Sequence, residues 1–319
     1  MEELEIIRHR QIDGISIFFD TVDYRTPHFH QEWELIWITR ERLAVQLGPE
    51  GAVAEEGDLF LFSPGRLHEF RCVGESATFL CFQLSPQIFE KVYPGFGRIT
   101  TESYYLNPAC GEERCARIRR TLTEMLRCYL ERPPFFELQC AGEGALLFRE
   151  ILLLLPCHSM SVEEQSNINK RNARLTRFIR FVDENYTQKI RLADFAEAEG
   201  CSVSYLSRFL KASLNQTFQD YVNAVRFHSA CKLMAGGGMR MLDICEESGF
   251  SDYRYFSAAF KKQSGMTPEE YSRQSHPVDE TLRHNLHSLE RFYTREQSLQ
   301  LLKELAAKNE TDAETLVSL

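Results

Sequence analysis

The side chains best suited to chemistry lie in the first seventy residues. They are three imidazoles and one carboxylate: His28, His30, His68 and Glu34. Even numbers of positions separate His28, His30 and Glu34, so on a continuous strand these side chains would project from one face of a sheet. Imidazole and carboxylate ligands suit a divalent ion of zinc, iron, manganese or nickel. These four side chains are candidate ligands that could bind such an ion, or could instead hydrogen-bond within a ligand pocket; the family resemblance given below supplies the set. No catalytic residue is predicted.

A second pattern lies near the C-terminus, where a short segment occurs twice. Three pairs of positions are 50 residues apart: Tyr205 and Tyr255, Lys211 and Lys261, Tyr221 and Tyr271. The glycines Gly200 and Gly249 are 49 residues apart, so the second copy has one additional residue in its turn. Each copy predicts a short helix, a glycine turn and a second helix. This is the helix-turn-helix arrangement, whose second helix can enter a major groove of DNA.

The second helix of each copy supplies the candidate DNA-contacting residues. They are Ser202, Val203, Ser204, Ser207, Arg208 and Lys211 in the first copy, and Tyr253, Arg254, Ser257, Lys261 and Lys262 in the second. Arg208 can reach guanine O6 and N7 with two hydrogen bonds, whereas Lys211 suits a phosphate. The second copy has Ala258 at the position of Arg208, so we expect its basic residues to serve mainly as contacts to the DNA backbone.

The second copy also carries a family resemblance. Its residues include Gly249-Phe250-Ser251-Asp252, Tyr255-Phe256, Phe260-Lys261-Lys262, Gly265-Met266-Thr267-Pro268 and Tyr271. This run resembles the signature of the AraC/XylS family of bacterial transcription regulators. The resemblance implies two helix-turn-helix units joined by a long helix over 218–235, and double-stranded DNA and a small-molecule effector as partners. It also implies a homodimer and favours an activator, for which RNA polymerase would be a further partner.

The N-terminal histidine pattern is similar to the two cupin motifs, His-x-His-x3-Glu and Gly…Pro-Gly-x2-His. In cupin enzymes the matching residues bind a divalent metal, which is the one cofactor that the resemblance offers here. AraC-type sensor domains share the cupin fold and often keep part of the pattern without metal or catalysis. The resemblance places an effector in the barrel interior, with the candidate residues His28, His30, Glu34, Arg40, Phe62 and His68.

We therefore expect a regulator and not an enzyme. One alternative is a cupin metalloenzyme, an isomerase or a dioxygenase, fused to a DNA-binding domain. Another is an interaction protein that uses the helical repeat to hold a second protein.

The distribution of charge favours DNA binding by the repeat. The whole chain has 37 Lys and Arg against 46 Asp and Glu, a formal net charge of −9. Residues 170–275 nevertheless carry 16 basic and 12 acidic side chains, whereas residues 1–169 carry 16 and 26, and residues 276–319 carry 5 and 8. The positive segment is thus the one that contains the repeat, as attraction to phosphates requires.

The elements that must position these residues divide the chain into five parts. In order they are a cupin-like effector-sensing barrel (1–110), a helical dimerisation segment (111–155), a linker (156–173), a DNA-binding domain (174–275) and a helical extension (276–319). Short apolar runs between turn signals predict the barrel, and apolar residues at helical spacing predict the later parts. The predicted fold class is α+β, a barrel followed by an all-α domain.

Three features favour a cytoplasmic protein without a membrane partner. The first residues lack the basic segment and apolar core of a secretory signal. The apolar runs are too short to span a bilayer. Ten cysteines are scattered without a Cys-x-x-Cys pair, which suits a reducing compartment.

Overall fold

The structure is a computed structural model that describes residues 11–48, 50–74, 76–102, 104–273, 282–284 and 288–317, with the backbone alone considered at 282–284 and 308–317. Its strands are β1 (Ile15–His28), β2 (Trp33–Arg40), β3 (Leu43–Leu47), β4 (Glu50–Ala54), β5 (Leu59–Phe62), β6 (His68–Cys72), β7 (Ala77–Leu84), β8 (Ile99–Thr101), β9 (Cys157–Ser159), β10 (Leu282–His284) and β11 (Ser288–Phe292).

The N-terminal domain is a curled antiparallel sheet of cupin type, as predicted. The strand order is β4-β3-β6-β1-β7-β2-β5, with β11 also paired to β1 and β10 paired to β11. Strands β3 and β4 pair antiparallel and form a hairpin. Strands β8 and β9 form a separate two-stranded ladder.

The central strands have two buried faces that serve different layers. On β2, Trp33 and Trp37 belong to the core between the sheet and the helices that cover it. Ile36 and Ile38 belong to the core that the curled sheet encloses. Because side chains alternate along a strand, Glu34 lies on the enclosed face, opposite the two tryptophans as predicted.

Three helices follow the barrel strands: α1 (Leu106–Cys110), α2 (Glu112–Glu131) and α3 (Phe136–Leu154). Helix α2 buries Ile118, Leu122 and Met125. Helix α3 buries Cys140, Gly144, Leu147, Phe148 and Ile151, which leaves Leu138 73% exposed. This helix carries apolar side chains on all sides, so periodicity could not select the face that packs.

The DNA-binding part consists of seven helices: α4 (Val162–Asn185), α5 (Leu192–Ala198), α6 (Val203–Leu214), α7 (Phe218–Gly236), α8 (Met241–Glu247), α9 (Tyr253–Ser264) and α10 (Pro268–Arg273). The long joining helix is confirmed as α7. The segment predicted as a linker is instead largely helical, because Ser161 and Glu164 form a capping box that starts α4. Among the described residues, no helix combines the length and apolar character needed to cross a bilayer.

The repeat is a pair of three-helix units and extends further back than the sequence pattern indicated. Helices α4, α5 and α6 share one apolar core, and α7, α8 and α9 share another. In the first unit Arg174 Nη1 of α4 donates to the Tyr205 hydroxyl at 2.7 Å. In the second, Asn223 Nδ2 of α7 donates to the Tyr255 hydroxyl at the same distance. The joining helix is therefore also the first helix of the second unit.

The C-terminal extension returns to the barrel. Strand β11 pairs antiparallel with β1, where Arg25 Nη1 lies 2.8 Å from Glu290 Oε1. Helix α11 (Arg295–Val317) packs Leu302 and Leu305 into the core beside α2. The prediction of an entirely helical extension is thus wrong for its first half, because these short strands are stabilised by pairing with a strand more than 260 residues earlier. Residues 276–281, 285–287 and 318–319 of this prediction lie outside the described residues.

Candidate nucleic-acid interface and sensor site

The first recognition helix, α6, presents the predicted DNA-contacting residues to solvent. The Ser202 hydroxyl caps the helix by accepting from the Tyr205 backbone N–H at 3.2 Å. Leu206 and Leu210 face the core. The remaining predicted contacts are exposed: Val203, Ser204, Ser207, Arg208 and Lys211. Capping and burial of the apolar side thus orient one polar face of α6 outward.

Two basic residues of α6 differ in how firmly they are held. Among the described residues, the one hydrogen bond of the Arg208 side chain runs from Nε to the Ser204 carbonyl at 3.4 Å, a weak contact. Lys211 Nζ donates to the carbonyl of Asn215 at 2.9 Å. Asn215 has a φ of +54° and ends the helix in the predicted left-handed conformation. Arg208 is therefore free to reorient toward a base edge, whereas Lys211 must leave the helix end to reach a phosphate.

The second recognition helix, α9, is less available than predicted. Arg254 and Lys261 are exposed, but Ser257 is half-buried. The prediction that Tyr253 is exposed is wrong, because its hydroxyl donates to the Glu269 carboxylate and its ring packs on Phe256. Tyr253 lies at the start of α9, and the spacing of residues within α9 does not reveal this contact of its hydroxyl with Glu269 of α10.

Lys262 is also engaged within the DNA-binding domain. Its Nζ atom lies 2.9 Å from Asp220 Oδ1, and Asp220 in turn completes the capping box at the start of α7. The pKa of the Asp220 carboxyl is lowered by the Thr217 hydroxyl and by Lys262. A phosphate contact by Lys262 must therefore replace an existing ion pair.

A buried arginine fixes the two units relative to each other. Arg226 on α7 donates from Nε to the Tyr186 carbonyl at 2.8 Å and from Nη2 to the Gln188 carbonyl at 2.7 Å. Its guanidinium also lies 5.7 Å from the centre of the Phe250 ring in the second unit. One side chain thus joins α7, the segment after α4 and the second turn, and so connects the two helix-turn-helix units.

In the sensor domain, the four predicted metal ligands come together and are buried. His68 Nε2 lies 3.0 Å from Glu34 Oε2, and His30 Nε2 lies 3.4 Å from the same oxygen. The His28 ring centre is 4.1 Å from that of His68. Ligand atoms of His28, Glu34 and His68 lie within 4.8 Å of one another. They do not lie on one continuous strand: His28 ends β1 and Glu34 belongs to β2, and the curling of the sheet brings them together.

The backbone fixes the orientation of all three imidazoles in the same way. Nδ1 lies 3.0 Å from the Thr26 carbonyl in His28 and 3.0 Å from the Glu32 carbonyl in His30. In His68 it lies 2.9 Å from the Arg66 carbonyl. A carbonyl oxygen only accepts, so Nδ1 carries the hydrogen in each ring. Each ring therefore turns its Nε2 atom toward the cluster.

Electrostatics at the cluster favour the ionised form of the Glu34 carboxyl. Burial lowers the pKa of the His28 and His68 imidazoles. Burial alone would raise the pKa of the Glu34 carboxyl, but His30 and His68 lower it well below its usual range. Sequence reasoning missed two further partners on β7, whose signal was polar character within an apolar strand. Cys81 Sγ and Gln83 Nε2 donate to Glu34 Oε1 at 3.3 and 2.9 Å.

Of the other predicted effector contacts, one lies at the cluster and one does not. The Phe62 ring stacks on His68 with ring centres 4.3 Å apart. Arg40 is instead exposed at the opposite end of β2, where it pairs with Glu304 of α11. The β2 strand carries Glu34 and Arg40 at its two ends, so strand length separates them.

The space beside the cluster is small. A cavity of about 10 Å³ touches His68 and is closed by Ser213 and Leu214 of α6. That volume is close to the lower limit for one water molecule. A larger cavity of about 360 Å³ lies elsewhere, between Asp58, Arg119 and Leu305 of α11.

Comparisons with known proteins match two separate parts of the chain. The family described as an AraC-like ligand binding domain matches residues 11–149, and the family described as a helix-turn-helix domain matches residues 195–274. The uncharacterized HTH-type transcriptional regulator YdeC of Bacillus subtilis is 21% identical over 85% of this chain and 96% of its own length.

Two further proteins are similar over most of their length. The HTH-type transcriptional activator RhaR of Salmonella schwarzengrund is 22% identical over 81% of this chain and 90% of its own. The solved structure of ToxT from Vibrio cholerae, at 14% identity, covers 83% of this chain and 100% of its own with a TM-score of 0.40. The matched families and these sequence relatives are regulators, so the enzyme alternative is not favoured. With a ligand-binding domain and a double helix-turn-helix domain in this order, the chain belongs to the AraC family of transcriptional regulators.

Proposed function

We propose that this regulator acts as a cytoplasmic homodimer that activates transcription from a specific DNA site when its sensor domain binds a ligand. The observation that carries DNA reading is the exposed face of α6, with Arg208 held by one weak intrahelical contact. The name of RhaR, an activator, supports the activating role, for which RNA polymerase would be the further partner.

The exposed side of α3 supports the homodimer. Four large apolar side chains stand out from it or from the turn before it: Phe135 is 76% exposed, Leu138 73%, Leu146 67% and Leu153 70%. Leu138, Leu146 and Leu153 lie on one side of the helix, within about 80° of one another around its axis. An apolar stripe of this length is characteristic of a surface covered by a partner. A second copy of the same helix would cover it symmetrically.

For the ligand of the sensor domain, the residues at the histidine cluster fit a divalent metal ion. Three Nε2 lone pairs and one carboxylate oxygen converge in a buried site, with each Nδ1 held by a backbone carbonyl. Such outer hydrogen bonds orient histidine ligands of metals. The Glu34 carboxylate, whose pKa is held well below its usual range, would attract such a cation. The ion would be held by His28, His30, Glu34 and His68. Its role would be to signal through the structure of the sensor domain.

The DNA-binding proposal is tested by selecting duplexes from a random library with the purified full-length protein. The expected result is one enriched sequence motif with two half-sites. The selected duplex should bind about 10³-fold or more tightly than random DNA at the same salt concentration. Enrichment without a common motif would overturn sequence-specific reading.

The metal proposal is tested by equilibrium dialysis against Zn²⁺, Ni²⁺ and Mn²⁺, followed by elemental analysis. We expect about one ion per chain, lost in His68→Ala and retained in His158→Ala. His158 is the matched control because it lies exposed on β9. Equal metal content in the two variants, or none in the native protein, would overturn the assignment.

A further inference from the structure

The DNA-binding domain packs directly against the part of the barrel that forms the histidine cluster. Asn172 of α4 is 3% exposed, and its Nδ2 donates to the Gly65 carbonyl at 2.9 Å. The Gly65 N–H in turn donates to the His30 carbonyl at 2.7 Å. A continuous path of hydrogen bonds therefore runs from a cluster residue through the turn before β6 to the first helix of the DNA-binding domain.

Apolar contacts reinforce this path. Phe29 and Leu67 come from the barrel, yet both belong to the buried cluster formed by α4, α5, α6 and α7. The same apolar cluster includes Leu175 and Phe178 of α4. The second unit touches the barrel as well, since the ring of His228 on α7 stacks on Tyr24 of β1 with centres 3.7 Å apart.

Two barrel segments, 28–30 and 65–68, therefore contact the histidine cluster on one side and the DNA-binding domain on the other. In the first segment, His28 and His30 face the histidine cluster, whereas Phe29 between them packs in the apolar core of the DNA-binding domain. In the second, His68 faces the cluster, and its neighbour Leu67 joins that core. Alternating residues of an extended chain point in opposite directions, so a shift of either segment moves both sides together.

We infer that these segments, 28–30 and 65–68, form a coupling element through which ligand binding at the histidine cluster and docking of the DNA-binding domain on the barrel favour each other. The inference rests on the proposed cation site for its ligand. A cation drawn between the end of β1 and the start of β6 fixes the two segments on which α4 and α6 rest. Docking then sets how each pair of recognition helices is oriented relative to the dimer. By thermodynamic reciprocity, weakening the dock must also weaken cation binding.

The first test measures Zn²⁺ affinity of the full-length protein by competition with a chelating dye. Asn172→Ala and Leu67→Ala remove contacts to the DNA-binding domain without changing a proposed ligand. We expect each to lower Zn²⁺ affinity by about 5-fold or more, a typical size for coupling between sites. Asn167→Ala is the matched control, because Asn167 is exposed on the same helix, and it should leave the affinity unchanged. Affinity equal to that of the native protein in both docking variants would overturn the coupling.

The second test needs no metal. Amide hydrogen exchange is compared in Glu34→Gln, with the exposed Glu55→Gln as control. We expect exchange in α4 and α6 to become at least about 5-fold faster in Glu34→Gln alone. The buried Glu34 side chain contacts His68 and Gln83, and the substitution alters both contacts beneath these helices. Faster exchange confined to the barrel would overturn the inference.

The outcomes separate this inference from the proposed function. Failure of the native protein to bind Zn²⁺ would remove the proposed ligand, and the exchange test would still decide whether the two sides are coupled. If the coupling is observed but the protein shows no preference for a DNA sequence, only the proposal of sequence-specific DNA binding is contradicted.

Discussion

Replacement of Arg208 by alanine tests whether α6 reads bases. The guanidinium is exposed and held by a single 3.4 Å contact to the Ser204 carbonyl, so little is lost when it turns toward DNA. Two hydrogen bonds to one guanine contribute about 1–3 kcal/mol of discrimination. The expected loss of affinity for the selected duplex is therefore about 5- to 150-fold.

The assay is fluorescence anisotropy with the selected duplex and with a random duplex, each at several salt concentrations. Arg208→Ala should weaken binding to the selected duplex far more than to the random one, since a base contact carries sequence information. Lys262→Ala is the comparison. Its ion pair with Asp220 must be broken before it can reach DNA, and exposed pairs of this kind contribute about 0.2–1 kcal/mol. We expect a smaller and sequence-independent effect.

One result would refute the assignment of Arg208. A phosphate contact would weaken both duplexes equally and reduce the slope of log affinity against log salt by about 0.9. If Arg208→Ala behaves in this way, the residue positions the protein and the base reading lies elsewhere on α6.

Three further predictions follow. Leu146→Glu should convert the dimer to a monomer in light scattering, whereas Glu143→Gln should not; a dimer in both would exclude the α3 face. Leu302→Ala should lower the free energy of unfolding by about 2–5 kcal/mol in urea titrations, because Leu302 is buried against the barrel, and an effect no larger than that of the exposed Lys303→Ala would show that the extension adds no stability. Glu199→Gln should lower the free energy of unfolding by about 1–2 kcal/mol at pH 7. Hydrogen bonds from Arg177 and Arg174 lower the pKa of Glu199 against the opposing effect of burial. This stabilisation is present above the unfolded pKa of about 4.3 and is lost as the pH falls through the folded value. The native protein and the Glu199→Gln variant should therefore differ less in free energy of unfolding as the pH falls. A difference that stays constant with pH would contradict the stabilising role of Glu199.

Much of the DNA-binding surface could be predicted because its determinants are local. Ser202 caps α6, Leu206 and Leu210 take its inner side, and Arg208 is left outside. All four lie within nine positions, where helical spacing alone decides direction. The same reasoning failed at Tyr253, whose hydroxyl finds Glu269 on the following helix. A neighbour sixteen positions away lies beyond the range of a helical period.

The sensor site was predicted by residue type and assembled by the fold. His28, Glu34 and His68 have the chemistry of metal ligands in any conformation. Their meeting depends on the curling of the sheet, which brings the ends of β1 and β6 to Glu34 on β2. Arg40 shows the converse, because a residue on the same strand was carried to the far end of the barrel.

The amino-acid sequence by itself determined the helices of the repeat and the separation of an acidic sensor part from a basic DNA-binding part, since propensity, capping and charge act over a few residues. Tertiary structure alone decided which side of α3 is buried, that residues from β11 onward complete the barrel, and that Asn172 reaches Gly65 across the domains. The pairing of β11 and the contact of Asn172 join positions more than 100 residues apart. The packing of α3 depends on a choice between equally apolar faces of the helix. Only the packing of the whole chain, in which every buried polar group must find a partner, selects among such alternatives.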